Sequence, residues 1–368
     1  MLPSAPAPLT AAETRRYSRH LLLPEIGAAG QLKLKAARVL VVGCGGLGCP
    51  VLQYLAAAGV GTLGLLDSDT VDETNLHRQV LFGSADVGQP KALVAAARLR
   101  ALNPFIEIAP HQLHLGAGNA LALLAGYDVV VDCTDNFATR YLVNDACVLL
   151  GKPLVFGAIF KFDGQVTVFN YREGPTYRCL YPEPPAPGEA PSCAEIGVLG
   201  VLPGLVGTLQ ATETLKIITG LGEVLSGRLL VIDTLGMRFQ TLRFAAVSAN
   251  RALTALLPDY PAFCGEAPAP AAGAPEITAA ELLAWQASGR PLQLLDVREP
   301  HEHAARHIGG RLVPLGQLAG ALPGLRPDVP TVVHCASGVR SQRAAQLLLA
   351  HGFGEVYSLR GGLAEYGE

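Results

Sequence analysis

The stretch Val39-Leu40-Val41-Val42-Gly43-Cys44-Gly45-Gly46-Leu47-Gly48 decides the fold. Four apolar, mostly β-branched residues run into glycines at 43, 45, 46 and 48, and Val51-Leu52-Gln53-Tyr54-Leu55 then reads as helical. A strand, a tight glycine turn and a helix start make an anion site, because the turn lets backbone N–H groups approach a phosphate and the helix dipole favours its charge. The spacing Gly43-x-Gly45-x-x-Gly48, with Asp67 nineteen residues further on as a ribose partner, fits a dinucleotide fingerprint. Taken alone, the turn implies a nucleotide and leaves open which one.

Working outward, residues 61–66 read as a strand into Asp67, 91–101 as a helix, and 106–109 and 127–132 as further strands. Residues 153–158 and 164–169 read as later strands, the second in a hairpin. Strands separated by helical stretches imply an α/β fold with a doubly wound, mainly parallel sheet. Residues 39–66 carry no charge and are long enough to span a bilayer, but they hold seven glycines, Pro50 and Gln53. A strand–helix–strand pattern of that kind is a buried βαβ unit rather than a membrane span. Residues 1–38 read as an amphipathic helical lead-in, with Arg15, Arg16 and Arg19 around Tyr17.

With 368 residues, half of them hydrophobic and 16% charged, the chain is globular and long enough for two or more domains. A net charge of −3 with scattered basic residues excludes a nucleic-acid stripe and a polybasic membrane anchor. No basic n-region leads into an apolar run at the start, so a cytoplasmic location is expected. The low-complexity Pro/Ala segment 266–275 reads as a linker, dividing a first domain at 1–265 from a second at 276–368. The second domain restarts the alternation, with strands at 292–295, 331–334 and 356–359 and helices near 280–287 and 343–349. Residues 181–193 hold five prolines and read as an extended loop ending at Cys193. Eight cysteines form no regular disulfide framework, and Cys44, Cys49, Cys133 and Cys147 read as small buried hydrophobes.

Three further signals accompany the glycine turn: Asp67-x-Asp69 with Asn75-Leu76-His77-Arg78-Gln79, then Gly88-Gln89-Pro90-Lys91, then Asp132-Cys133-Thr134-Asp135-Asn136. Each follows a strand end or precedes a helix, where a doubly wound sheet builds its site. Arg78 offers a planar fork and Lys91 a point charge for a polyphosphate, and Asp135 a carboxylate for Mg²⁺. Singly, these residues read as solvated charges and a helix cap. Their order behind the turn favours a phosphate site.

These motifs, with Arg16-Tyr17-Ser18-Arg19, resemble the MoeB/ThiF family, bacterial relatives of ubiquitin-activating enzymes, over residues 13–265. The resemblance implies a Rossmann-like domain that binds ATP and Mg²⁺ and adenylates the terminal glycine of a MoaD- or ThiS-like ubiquitin-like sulfur carrier. It assigns Gly43, Gly45, Gly46, Gly48, Asp67, Asp69, Asn75, Arg78, Gln79, Lys91, Asp135 and Asn136 to the nucleotide, with Asp67 on the ribose and Asp135 on the metal. It also implies a homodimer in which Arg19 reaches the neighbouring subunit's site, and a catalytic loop cysteine at Cys193. Many relatives close a Cys₄ zinc site with two Cys-x-x-Cys pairs. Here only Cys179 and Cys264 remain of the four, so no zinc is expected.

In the second domain, Val332-Val333-His334-Cys335-Ala336-Ser337-Gly338-Val339-Arg340-Ser341 sets a cysteine between a buried strand and a helix. Such a loop aims backbone N–H groups at the sulfur, and Arg340 adds positive charge. A phosphate-cradling Cys-x₅-Arg loop is one residue longer, with Ser341 in the arginine's place, so the shorter loop suits sulfur. Together with Asp296-Val297-Arg298-Glu299 and His307-Ile308-x-Gly310, residues 276–368 resemble a single rhodanese domain, which implies an α/β sulfurtransferase with Cys335 and Arg340 catalytic. A cysteine desulfurase is a sulfur donor suited to such a domain. Two alternatives stay open on the residues alone: an NAD-dependent oxidoreductase fused to a sulfurtransferase, and a non-catalytic scaffold that binds a ubiquitin-like protein.

Overall fold

The computed structural model describes residues 8–185, 197–265 and 274–366. The chain divides into two compact units, Met1–Ala267 and Pro268–Glu368. The first unit is built on eight strands: β1 (Arg38–Val42), β2 (Thr62–Leu66), β3 (Glu107–His111), β4 (Val129–Asp132), β5 (Leu154–Phe160), β6 (Asp163–Phe169), β7 (Arg228–Asp233) and β8 (Arg238–Arg243). They form one sheet in the order β3-β2-β1-β4-β5-β6-β7-β8. The first five run parallel, and β6, β7 and β8 each run antiparallel to the strand before.

The apolar run of β1 follows from this position. Val39 and Val41 enter one core cluster with Leu52, Leu55 and Leu99, while Leu40 and Val42 enter another with Tyr141 and Leu142. A strand buried on both faces must be apolar throughout rather than alternating. Residues 39–66 thus fold as a strand, the helix Gly48–Ala58 and a second strand. No helix among the described residues is long and apolar enough to cross a membrane. The strand order reverses between β1 and β4, which opens a crevice outside their carboxyl ends.

Some boundaries differ from the sequence reading. The glycine-turn helix begins at Gly48, not Val51, because the Cys49 N–H already donates to the Gly45 carbonyl at 2.9 Å. The lead-in is three short helices, Ala11–Arg16, Ser18–Leu21 and Gly27–Ala36. Tyr17, at the first break, is buried and accepts a hydrogen bond from Asn103 Nδ2 at 2.9 Å. The sequence reading missed the helix Leu202–Thr219 and the strands β7 and β8. The edge strand β8 is exposed along its length and carries arginine at both ends, which discourages further strand pairing.

A buried ion pair ties the end of the first unit to its body. Asp145, on the helix Phe137–Leu150, accepts from Arg178 Nε at 2.9 Å and Nη2 at 2.7 Å. It also accepts from the Tyr260 hydroxyl at 2.8 Å. The guanidinium lies over the Tyr141 and Phe263 rings, at 4.9 and 5.0 Å.

The second unit holds a separate parallel sheet of β9 (Glu276–Ile277), β10 (Gln293–Asp296), β11 (Arg311–Leu312), β12 (Thr331–His334) and β13 (Val356–Leu359), ordered β11-β10-β12-β13-β9. Buried Asp296, ending β10, accepts from Arg298 Nε at 2.9 Å and Nη2 at 2.6 Å, and lies 2.9 Å from His303 Nδ1. Burial pushes its pKa up, but the Arg298 and His303 hydrogen bonds outweigh this and hold it at about 2. His334, ending β12, is wholly buried, 3.9 Å from Asp296, and burial pushes its pKa down to about 4 despite the attraction of Asp296.

Two outcomes follow from these networks. Arg178→Met strands the buried Asp145 charge and is expected to cost about 3–5 kcal/mol in urea unfolding of the first unit; an unchanged midpoint contradicts this account. In the second unit, the folded state refuses a proton at His334 that the unfolded chain accepts below its ordinary pKa of 6.5. Stability is therefore full above pH 6.5 and falls by roughly 3 kcal/mol as pH drops toward 4. The Asp296 contribution is present above its ordinary pKa of 3.8 and is lost only as pH falls toward 2. Hydrogen-exchange protection of the β12 amides should decline across the histidine window, and His334→Gln should flatten that decline.

Candidate nucleotide and sulfur sites

The glycine turn occupies the crevice between β1 and β4. Gly43 has φ +96°, and a Cβ there would lie 2.8 Å from the Cys133 carbonyl oxygen. A Cβ on Gly48 would lie 2.0 Å from the Gly43 carbonyl oxygen. Only glycine permits both approaches, so the turn is pressed against the end of β4 on one side and the helix start on the other. The Asp67 carboxylate braces it, accepting the Cys44 N–H and the Asp69 N–H, each at 2.8 Å. Burial pushes the Asp67 pKa up, opposed by the nearby Lys91 charge.

The charged groups that the sequence singled out converge here. Lys91, at the start of the helix Lys91–Leu102, is buried and lies 3.1 Å from Asp69, whose side chain is 70% exposed. Arg78 sits beside the turn, since a Cβ on Gly46 would meet its Cγ at 3.7 Å. Its Nη1 donates to the Thr74 carbonyl at 3.2 Å and lies 2.8 Å from His77 Nε2. Gln79 donates to Asn75 Oδ1 at 2.6 Å and faces Gly45. Asp135 and Asn136 are exposed after β4, and Asn136 caps the helix Phe137–Leu150 by accepting the Thr139 N–H at 2.8 Å. Buried Asp132 accepts the Thr134 N–H and hydroxyl on Oδ1 at 2.9 and 2.7 Å, while its Oδ2 has no hydrogen-bond partner.

Other expected residues stand apart. Arg19 is exposed on the helix Ser18–Leu21. Cys193 lies outside the described residues. Cys335 and Arg340 belong to the second unit. Cys44, Cys49, Cys133 and Cys147 are buried, and burial pushes their thiols up.

Sequence reasoning missed the helix Leu202–Thr219 that backs the site. A Cβ on Gly46 would meet Pro203 at 3.1 Å, and one on Gly207 would lie 2.5 Å from the Leu47 carbonyl oxygen. Gln210 donates to the Asp132 carbonyl at 2.7 Å. Pro203, Gly207 and Ala211, at four-residue spacing, were the available signal.

Cys179 is half-buried, with the Thr176 N–H at 3.4 Å, the Val247 N–H at 3.3 Å and Asn250 Nδ2 at 3.6 Å from its sulfur. Burial raises its pKa, but the hydrogen bonds from Thr176, Val247 and Asn250 bring it below the ordinary thiol value. No three His, Cys, Asp or Glu side chains among the described residues gather as a metal site.

In the second unit, Cys335 follows β12 and its buried sulfur accepts the Gly338 N–H at 3.2 Å and the Ser341 N–H at 3.4 Å. Gly338, at φ +91°, turns the chain into the helix Val339–Ala350. The Ser341 hydroxyl lies 2.8 Å from the Ser358 hydroxyl and donates to the Gly338 carbonyl at 2.9 Å. The Arg340 guanidinium is in a two-pronged ion pair with Glu302, at 2.7 and 2.6 Å, rather than on the sulfur. Sequence reading gave Glu302 no role.

Comparison with known proteins agrees with both units. The chain is 48% identical to the probable adenylyltransferase/sulfurtransferase MoeZ of Mycobacterium tuberculosis, covering 97% of this chain and 94% of that protein. It is 54% identical to the sulfur carrier protein adenylyltransferase of Thermus thermophilus, over 70% of this chain and 98% of that protein. It is 46% identical to the mouse adenylyltransferase and sulfurtransferase MOCS3, over 94% of this chain and 82% of that protein. The crystal structure of Escherichia coli MccB with ATP, 24% identical, shares the fold with a TM-score of 0.57 over 65% of this chain and 73% of that one. Residues 17–252 match the ThiF family and residues 278–368 a rhodanese-like domain. The chain belongs to the ThiF family, with a rhodanese-like domain following the family's own.

Proposed function

We propose that the first unit uses ATP to adenylate the C-terminal glycine of a MoaD- or ThiS-like ubiquitin-like sulfur carrier, and that the second supplies sulfur through Cys335. The observation that carries this reading is the joint presence, in one chain, of a glycine turn flanked by Arg78 and Lys91 and a backbone cradle around the Cys335 sulfur. The Pro/Ala linker keeps the two activities at high effective concentration. The dinucleotide alternative has no support beyond the glycine spacing and Asp67, which suit ATP equally.

The carrier carboxylate is already ionised, so its attack on the α-phosphate needs no general base. The acyl-adenylate forms as the α–β phosphate bond breaks and pyrophosphate leaves. Backbone N–H groups of the turn, Arg78 and Lys91 serve this step by holding and neutralising the phosphates. Asp67 fits the ribose, and Asn75, Gln79, Asp69 and Asn136 fit the shell around the nucleotide. Asp135 is the residue that would hold Mg²⁺, its hard, exposed carboxylate suiting that ion, which when bound would offset phosphate charge. In the second stage the outer sulfur of a Cys335 persulfide attacks the acyl carbonyl and AMP leaves. A second thiol then cleaves the acyl disulfide, giving the thiocarboxylate and a disulfide on Cys335. Cys193 is the in-chain candidate for covalent capture of the carrier. A cysteine desulfurase is the fitting sulfur donor, a homodimer completed by Arg19 the fitting assembly, and the cytoplasm the fitting compartment.

Zinc does not fit this chain. Cys179 and Cys264 are two of the four thiolates that a tetrahedral sulfur shell needs. The Asp145–Arg178–Tyr260 network ties the same segment through side-chain hydrogen bonds.

Carrier-dependent ATP–pyrophosphate exchange tests the first step. Arg78→Ala and Lys91→Ala should each lower exchange on the order of a hundredfold with folding retained, and absence of exchange with every carrier ending in Gly-Gly overturns the reading. Cys335→Ala should spare exchange but abolish thiocarboxylate formation, followed by mass spectrometry of the carrier. Chelator treatment should leave the thermal unfolding midpoint of the first unit unmoved, and a stoichiometric zinc in metal analysis would refute the metal-free assignment.

A further inference from the structure

Glu302 is fixed from both sides. Its Oε2 accepts the Glu299 N–H at 3.0 Å at the start of the helix Pro300–Ala305, and its carbonyl accepts from Arg298 Nη1 at 3.3 Å. Arg298 is in turn locked to buried Asp296. From this footing the Glu302 carboxylate takes both terminal nitrogens of Arg340, at 2.7 and 2.6 Å. The partners are one third and one quarter exposed. Arg340 lies in the first turn of the helix whose leading N–H groups hold the Cys335 sulfur, at Gly338 and Ser341. The arginine charge nearest the thiol in sequence therefore arrives already neutralised.

We propose that Glu302 is a positioning residue of the sulfur-transfer loop: by pinning and balancing Arg340, it limits the thiolate character of Cys335 and weakens the loop's hold on small sulfur-bearing anions. This rests on the reading of Cys335 as the sulfur-bearing thiol. A persulfide that is to be handed on is served by backbone dipoles that follow the sulfur, and a bare arginine would retain it. The Glu302 carboxyl is held below its ordinary range by the Arg340 hydrogen bonds. The Arg340 guanidinium is raised by Glu302 first, and by the Cys335 charge as well. Among the other charged groups near the loop, Arg343 is exposed one turn after Arg340 on the same helix. His334 is buried with its pKa pushed down, Arg298 is paired with Asp296, and Arg360 with Glu276. Glu299 and Glu365 are acidic, and Glu365 lies on the segment whose Leu363 and Ala364 N–H groups close over the Cys335 and Ala336 carbonyls at 2.9 and 3.0 Å.

The test uses the full chain with thiosulfate and cyanide as probes. The Cys335 thiolate attacks the outer sulfur of thiosulfate, sulfite leaves with the electron pair, and cyanide then takes the sulfur as thiocyanate and restores the thiolate. Alkylation of the Cys335 peptide by iodoacetamide across pH, read by mass spectrometry, gives the thiol pKa independently of sulfur transfer. Glu302→Gln leaves Arg340 unbalanced and is expected to lower that pKa by about half a unit or more. It should also lower the thiosulfate KM on the order of threefold. Arg340→Gln should move both in the opposite direction, the double variant should return toward the parent chain, and Glu302→Asp should keep the parent pKa. Opposed shifts that cancel in the double variant support charge balance. Shifts of the same sign, or a loss of kcat with the pKa unmoved, overturn the proposal and leave the pair purely structural. Failure of the parent chain to form thiocyanate counts instead against Cys335 as sulfur carrier, and the alkylation profiles still decide the role of Glu302.

Discussion

The contact between Gly48 and the Gly43 carbonyl is the constraint on which the nucleotide site depends. With room for no Cβ, the helix Gly48–Ala58 begins against the strand it follows, and its first N–H groups stay near the outlet of β1. The same turn leans on the Cys133 carbonyl, so β1 and β4 are held together where the sheet order reverses. Both requirements are backbone distances, and no side-chain chemistry can replace them. The acidic and basic groups of the site are arranged on this frame: Asp67 braces the turn from β2, and Arg78 and Gln79 approach from the connection that follows.

Much of this was legible because it rests on local rules. The continuous apolar run of residues 39–42 announced a strand buried on both faces, and the glycine spacing announced the turn. Asp67, Lys91 and Asp132 fell at strand ends and helix starts, where such a sheet places its site. The helix Leu202–Thr219 was not legible in the same way. It carries apolar residues on several faces, because it packs on both the glycine turn and the sheet, and so lacks a clean amphipathic period. Strand β8 escaped for the opposite reason: it is exposed on both faces and gives no alternation to read.

Long-range charge pairing was the other blind spot. Asp145 and Arg178 lie thirty-three residues apart, and Glu302 and Arg340 thirty-eight. Nothing local in sequence marks either pair. Arg340 could be read from its loop as a source of positive charge, but the residue that cancels that charge sits on another helix. Sequence spacing identifies groups that can carry charge, and the fold decides how much of it a ligand meets.

That difference separates the two cradles of this chain. Both lie at a strand–helix junction that presents backbone N–H groups, a device indifferent to whether the anion is phosphate or sulfur. They diverge in how the nearby cation is held. Lys91 is buried, and its Nζ reaches one oxygen of Asp69 at 3.1 Å, a carboxylate that is mostly in water. In the proposed function Lys91 is the cation that meets the phosphates, and its carboxylate partner faces water. Arg340 is held by both prongs of a carboxylate that its own helix cap and Arg298 keep in place, so releasing it means breaking two short charge-assisted hydrogen bonds. On the proposed function the first cation meets a multiply charged ligand, and the role proposed for Glu302 keeps the second occupied so that a single sulfur can leave.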